Sequence, residues 1–364
     1  MTLRDQRQKE FADMWLKNKR GILYLCPRFG KIYTSINILE ELKPKKILIA
    51  YPDKKIEESW KQDFEARSYR HSNITYTTHL SMWKVKDEQF DIVIIDEIHL
   101  LSEAQIQAAR DLIRINKNVL GLTGTMTTAT ESVLDMDLDL QVIAQYPIEQ
   151  AIAEGVIVDY QITVIKVPLD TTALIKNKNK MQTEKRMFDA TSWVIDQLER
   201  EGRNTMMLRL KRMRIIQNSI AKQRMTRAVL SKYANERILV FCGTTDIADN
   251  LGIPSYHSKS KDGKDVFENF ANGEGNHLAV VKIGNTGVSY KPLNKVVLNY
   301  FDSNAENLAQ KVNRCMAMEY NNPDKKAQIY IICTNEPVEE KWLKKALEFF
   351  DNDKIKFVNI DKIP

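Results

Sequence analysis

Three side chains carry the strongest chemical signal in this sequence: a lysine at residue 31 and two adjacent carboxylates at 96 and 97. The apolar run Ile22–Leu25 leads into Cys26-Pro27-Arg28-Phe29-Gly30-Lys31, and a helical pattern follows. A phosphate group is bound well by that order of strand, glycine turn and helix start. The amides at a helix N-terminus point at the anion, glycine lets the backbone come close, and a lysine neutralises the β and γ phosphates. Arg28, Phe29, Gly30, Lys31 and Ile32 are therefore the expected nucleotide-binding loop. Of the glycine-rich pattern only Gly30-Lys31 survives, and alone it also describes an ordinary Gly-Lys turn. The second signal decides between them. Asp91–Ile95 is apolar after its first residue and ends in Asp96-Glu97-Ile98-His99. Paired acids at the C-terminal end of a buried parallel strand sit where α/β sheets bind ligands. Asp96 can hold Mg²⁺, directly or through water, and Glu97 can activate an attacking water. An exposed acidic turn would not explain the apolar strand before it.

These groups need a scaffold, and the hydrophobic pattern supplies one. Ile22–Leu25, Ile47–Ala50, Asp91–Ile95 and Val119–Leu122 read as buried strands separated by amphipathic helices. The pattern resumes with Ile238–Phe241, Leu278–Lys282, Val296–Asn299 and Ile329–Ile332. The fold class is thus α/β, with two parallel sheets and two lobes. From about Asp170 to Ala234 no strand is expected. Ser192–Glu201 and Thr205–Tyr233 read as helices there, with Arg209, Lys211, Arg212, Arg214, Lys222, Arg224 and Arg227 on them. Two readings stand for this stretch: a helical element over a nucleic-acid strand, or a solvated connector, as charge runs usually are. The expected division is 1–160 for the first lobe, 161–234 for a linker and basic helical insertion, and 235–364 for the second.

Asp96-Glu97-Ile98-His99 resembles motif II of the DEAH-like superfamily 2 helicases, and further motifs follow in that family's order. Near the N-terminus, Leu3-Arg4 with Gln6 or Gln8 looks like the glutamine motif that reads adenine, and Gln8, followed by Lys9-Glu10, is the preferred candidate. Thr123-Gly124-Thr125 looks like motif III, which links hydrolysis to domain movement. Tyr146-Pro147 through Ala151, Gly155 and Asp159-Tyr160 is similar to the segment by which restriction-translocase-like and phage branch-remodelling helicases leave their first lobe. Ile238–Cys242 and Tyr256-His257-Ser258 resemble motif IV and its neighbour, Asn285–Ser289 motif V, and Gln310–Arg314 motif VI. The resemblance implies two RecA-like domains that bind ATP and Mg²⁺ between them and act on nucleic acid. DNA, single-stranded or branched, is the expected partner, with RNA as the other candidate. It further implies a catalytic set of Lys31, Asp96, Glu97 and Arg314, with Arg314 as the finger on the transferring phosphoryl group. Gly287 and Gln310 join the nucleotide site. His99, Thr123 and Thr125 couple hydrolysis to movement. Pro52, Lys54, Thr77, Thr78, Ser258, Lys259 and Thr286 line the strand track, mainly through phosphates.

Three positions depart from the family's pattern. Ile32 stands where a hydroxyl residue normally ligates Mg²⁺, and Thr34, two residues on, faces another side of the helix. Ala317 replaces a second motif VI arginine, and Ser289 an aspartate of motif V. A nucleic-acid binder with a weakened or silent ATPase site is the competing reading, and a translocase subunit of a restriction-like complex is another.

Bulk properties bound these expectations without choosing among them. The 364 residues carry a net charge of +6, which suits a phosphate partner without establishing one. The four cysteines have no metal-ligand spacing and suit a reducing compartment. The charged N-terminus and the lack of a long apolar run point to the cytoplasm, that of a host cell if phage-encoded.

Overall fold

A computed structural model describes residues 2–70, 72–177, 180–260, 263–281, 293–318 and 325–359. The chain divides into two compact units, the second beginning at Asp159.

The first unit runs α1 (Leu3–Asn18), β1 (Arg20–Leu25), α2 (Lys31–Leu42), β2 (Ile47–Tyr51), α3 (Lys55–Ala66), β3 (Ile74–Thr78), β4 (Ile92–Asp96), α4 (Glu103–Ile115), β5 (Val119–Thr123), α5 (Thr128–Leu138), β6 (Val142–Tyr146) and α6 (Ile148–Ala153). Its six strands are all parallel, in the order β3-β2-β4-β5-β1-β6. Every residue of β2, β4 and β5 is buried. Strands covered on both faces lose the polar–apolar alternation of a half-exposed sheet, which is why they read as continuous apolar runs. β1, β4 and β5 are neighbours at the sheet centre, so the residues that follow them share one sheet edge.

The second unit contains β7 (Asp159–Val167), β8 (Leu174–Asn177), β9 (Lys180–Thr183), α7 (Glu184–Arg200), α8 (Met206–Gln217), α9 (Ile220–Lys232), β10 (Ile238–Cys242), α10 (Thr245–Asn250), β11 (Ser255–Tyr256), α11 (Gly263–Asn272), β12 (His277–Val281), β13 (Lys295–Leu298), α12 (Ala305–Val312), β14 (Lys326–Thr334), α13 (Pro337–Ala346) and β15 (Ile355–Asn359). Seven strands form a second parallel sheet, β11-β12-β10-β13-β14-β7-β15. All eight strands expected from the sequence are present within a few residues of their expected bounds.

The stretch 161–234 is built differently from a linker. It starts inside β7, which lies between β14 and β15 and pairs with β14 over nine residues. Where no strand was expected, β8 and β9 form an antiparallel hairpin. α9 belongs to the second core, with Met225, Val229 and Leu230 packed against Ile238, Val240 and Ile332. The basic residues of this region therefore have unlike fates. Lys222 is buried and ion-paired with Glu339 at 2.6 Å, and Arg224 pairs with Asp170. Those of α8 remain on the surface, where Arg209 meets Glu199 at 2.8 Å. Among the described residues no helix is long and apolar enough to cross a membrane.

Candidate nucleotide site

The loop between β1 and α2 gives the first half of the site. Gly30 caps α2 with φ of 99°, a left-handed conformation that glycine adopts without strain. A Cβ there would lie 2.5 Å from Gln8 Nε2, so Gly30 is also required by the close approach of α1. Gln8 is fully buried and donates from Nε2 to the Phe29 carbonyl at 2.9 Å. Its Oε1 is buried with no protein partner, an acceptor desolvated beside a phosphate-type loop. A buried carbonyl without a donor costs about 1–3 kcal/mol, and an exocyclic amine such as that of adenine would satisfy it. Phe29 packs its ring against Phe11 and Tyr146, with centroids 5.6 and 4.9 Å away. Only its backbone can face a nucleotide.

The second half comes from β4. Lys31 Nζ donates to Glu97 Oε1 at 2.5 Å across 66 residues of sequence. Asp96 is buried, and each of its oxygens accepts one hydrogen bond. Trp60 Nε1 reaches Oδ2 at 3.0 Å, and the Glu97 amide reaches Oδ1 at 3.0 Å. Burial pushes the Asp96 carboxyl up to about 6, while the Lys31 ammonium opposes the shift. Burial also works against charge on Glu97, yet Lys31, His99 and the Gly124 amide outweigh it and hold that carboxyl below its ordinary value. For Lys31 the balance is the same: desolvation disfavours the ammonium, but Glu97 and Asp96 together raise its pKa. The cluster thus keeps one cation against two acids in a buried setting. A divalent ion at Asp96 would add the missing positive charge, and each of its oxygens keeps a lone pair for one. Among the described residues no group of three His, Cys, Asp or Glu could hold a metal. The donor set therefore suits Mg²⁺, which is bound through one or two carboxylates, substrate phosphates and water, rather than a transition metal.

Two residues other than glycine adopt left-handed backbone here, Arg28 at φ 66° and Glu97 at φ 48°. Each costs about 1–3 kcal/mol, and such strain gathers at functional sites. Thr34 does not replace the hydroxyl lacking at Ile32. It donates to the Gly30 carbonyl at 3.3 Å within its own helix and is fully buried.

His99, Thr123 and Thr125 form one connected group behind the carboxylates. Thr123 donates its hydroxyl to the Thr125 carbonyl at 2.7 Å. Its single proton being used, the 2.8 Å contact with His99 Nδ1 is donated by the imidazole. His99 Nδ1 also lies 3.5 Å from Glu97 Oε2. Burial pulls the imidazole down to about 4, so it is neutral at pH 7. Sequence reasoning missed two contributors. Trp60 is a buried donor to Asp96. His79, following β3 on the turn His79–Lys84, contacts the Asp96 carbonyl through Nε2 at 2.9 Å. Both contacts join elements distant in sequence, so no local pattern announces them.

The other expected site residues are more scattered. Pro52 and Lys54 follow β2, with Lys54 exposed. Thr77 and Thr78 end β3, Thr77 buried and Thr78 half-buried. In the second unit Ser258 and Lys259 are exposed after β11. Gln310 lies on α12, and Arg314 one turn later on the short 3-10 turn Asn313–Cys315, both half-buried. Thr286, Gly287 and Ser289 lie outside the described residues.

Two α/β units, each built on an all-parallel main sheet and the first presenting a phosphate-type loop against paired acids at its central strand ends, define the tandem RecA-like fold. In fold the chain is similar to a helicase domain of known structure, and in sequence it is distantly similar to a DNA translocase. It is 24% identical, over 323 residues, to the DNA 3'-5' translocase XPB2 of Sulfurisphaera tokodaii, a match covering 79% of this chain and 72% of that one. Among solved structures, the Hef helicase domain of Pyrococcus furiosus is similar at a TM-score of 0.53 and 14% identity, covering 94% of this chain and 98% of that domain. The ATP-dependent type ISP restriction-modification enzyme LlaBIII, bound to DNA, gives 0.61 and 14% over 99% of this chain, which spans 31% of that enzyme. A Saccharomyces cerevisiae Dbp5 variant bound to RNA and ADP with BeF3 gives 0.61 and 11%, covering 98% and 90%. No family model matches the chain.

Proposed function

We infer that the chain is an ATP-driven motor that translocates on, or remodels, DNA. The observation that carries this reading is the convergence of Lys31, Asp96 and Glu97 at one sheet edge, with the unsatisfied Gln8 carbonyl oxygen beside Gly30. Lys31, Asp96 and Glu97 all keep the residue types the chemistry needs, although the hydroxyl expected at Ile32 is lacking. A binder with a dead nucleotide site would not need a buried lysine held between two acids.

In the proposed cycle the adenine satisfies Gln8, and the phosphates settle on the amides of Gly30, Lys31 and Ile32. Lys31 exchanges its Glu97 partner for phosphate oxygen, which releases Glu97 to orient the attacking water. Asp96 would hold Mg²⁺, whose charge would offset that of the phosphates. Trp60 and His79 fix the Asp96 side chain and carbonyl. His99 and Thr123 sense the state of Glu97, and Arg314 supplies positive charge to the transferring phosphoryl group. Pro52, Lys54, Thr77, Thr78, Ser258 and Lys259 are the proposed strand contacts, and Thr286 and Gly287 keep their roles by motif order alone.

The test is steady-state ATPase activity with no nucleic acid and with single-stranded, duplex, forked and four-way DNA and RNA. Stimulation by DNA in the wild type, abolished in Lys31→Ala, is expected. A wild-type rate equal to that of Lys31→Ala on every substrate would refute the motor.

A further inference from the structure

Between Gly202 and Asn235 the chain holds nine lysines and arginines and not one acid. α8, inside that stretch, buries only Ile216 and leaves Met206 and Met207 exposed, at 64% and 74%. A helix that buries one residue and carries Arg209, Lys211, Arg212 and Arg214 gains little from its own packing. Beside it lies a groove of about 690 Å³, lined by Arg203, Arg209, Arg212, Leu210 and Met213 and closed by Trp342 of α13. This groove lies wholly within the second unit and touches none of the nucleotide-site residues.

We propose that the groove between α8 and α13 binds a single-stranded segment of nucleic acid, its phosphates on Arg203, Arg209 and Arg212 and a base against Trp342. Chemistry favours this occupant. Guanidinium forks match phosphate oxygens two at a time. A positive groove with one aromatic wall is how single strands are held without sequence preference. Leu210 and Met213 supply apolar surface for the base edge.

The groove also contains its own competitor. Glu199, at the end of α7, accepts from Arg209 Nε and Nη2 at 2.9 and 2.8 Å and from the Thr205 hydroxyl at 2.8 Å. In the free protein that carboxylate occupies the fork a phosphate would take. Arg203 meets Glu201 only at 3.5 Å, on a highly exposed surface. Arg212 has a single long contact, 3.4 Å to Ser192 Oγ. A phosphate thus displaces one weak partner and one stronger one, and Glu199 sets the threshold for binding.

The inference rests on the nucleic-acid reading above and is tested separately from it. Fluorescence anisotropy of a labelled single-stranded oligonucleotide is measured on the full chain, without nucleotide, across a salt series. The Arg203→Glu/Arg212→Glu variant should bind at least tenfold more weakly. Losing two phosphate contacts should also flatten its log–log salt slope by about 1.4. Glu199→Gln should bind several-fold more tightly, a gain no loss of folding can mimic. The rate of ATP hydrolysis without nucleic acid should be the same in all three. Unchanged affinity and slope in both variants would overturn the groove while leaving the motor intact. Absence of any oligonucleotide binding by the wild type would overturn the groove, while the motor stands or falls separately on its ATPase response to duplex and branched substrates. Displacement of oligonucleotide by an acidic peptide at a lower concentration than by unlabelled strand would reassign the groove to a protein partner.

Discussion

Glu97→Gln separates binding from hydrolysis, and its effect on binding can be worked out from the geometry. In the free protein Glu97 and Lys31 share a 2.5 Å contact with side-chain exposures of 24% and 15%. A hydrogen bond involving a charged group contributes roughly 1.5–3 kcal/mol, and a neutral one about 0.5–1.5. ATP must draw Lys31 away from this partner. Glutamine keeps the shape and an acceptor oxygen but lowers the cost of that exchange by about 1 kcal/mol, or roughly 5-fold in Kd. Removing a negative charge from the phosphate side of the site adds in the same direction. The variant should therefore bind ATP about 5- to 10-fold more tightly while losing turnover, because the group that orients water is gone. Calorimetric titration with ATP and Mg²⁺, paired with phosphate release from the same preparation, measures both. Equal or weaker ATP binding by the variant would refute the idea that Lys31 is shared between Glu97 and the phosphates. Retained turnover would refute the role of Glu97 itself.

Three further outcomes follow from single contacts. Trp60→Phe removes the buried donor to Asp96 Oδ2 and nothing else of comparable size; it should raise the Mg²⁺ concentration needed for half-maximal ATPase activity several-fold, read from a metal titration at saturating ATP, and an unchanged midpoint would free Asp96 from the metal role. Gly30→Ala puts a Cβ 2.5 Å from Gln8 Nε2 at a φ of 99°; ATP affinity should fall at least tenfold, whereas GTP, whose C6 carries a carbonyl where adenine has its amine, should change far less in a competition assay. Lys222→Met leaves Glu339 charged with 1–2% exposure and should cost about 3–5 kcal/mol of unfolding free energy in urea, whereas Lys222→Met/Glu339→Leu should recover part of it; an additive double variant would show that the two groups do not act as a pair.

The legible parts of this protein are those where burial is complete on both sides. β2, β4 and β5 announce themselves because no polar residue interrupts them, and the acids stand out because they end such a strand. β7 alternates buried and half-exposed residues, and β15 is a largely exposed edge. Neither offers the uninterrupted run that marked the others, so the expected connector turned out to begin with a sheet strand. The β8–β9 hairpin is short and polar and hides for the same reason. At the site, residue types at strand ends were readable, whereas the supports were not. Trp60 and Asp96 lie 36 positions apart, and the indole is recognisable as a partner only once α3 and β4 are adjacent. Lys222 fits neither reading of the basic run, strand-facing or solvated: a glutamate 117 residues away makes it a core residue.

The position of β7 has a practical consequence for anyone who would cut this protein into halves. Its nine residues stand between β14 and β15, and β15 has no other strand to hold it. A C-terminal fragment opened at residue 161 would lose the first two residues of β7, and one opened at 235 would strip this inner strand from its sheet and leave the β14 edge unpaired toward neighbouring molecules. The separable piece begins no later than Asp159, although α12 and the proposed finger Arg314 come some 150 positions afterwards. The first strand made of this half must wait on the ribosome for the last ones before its edges are covered.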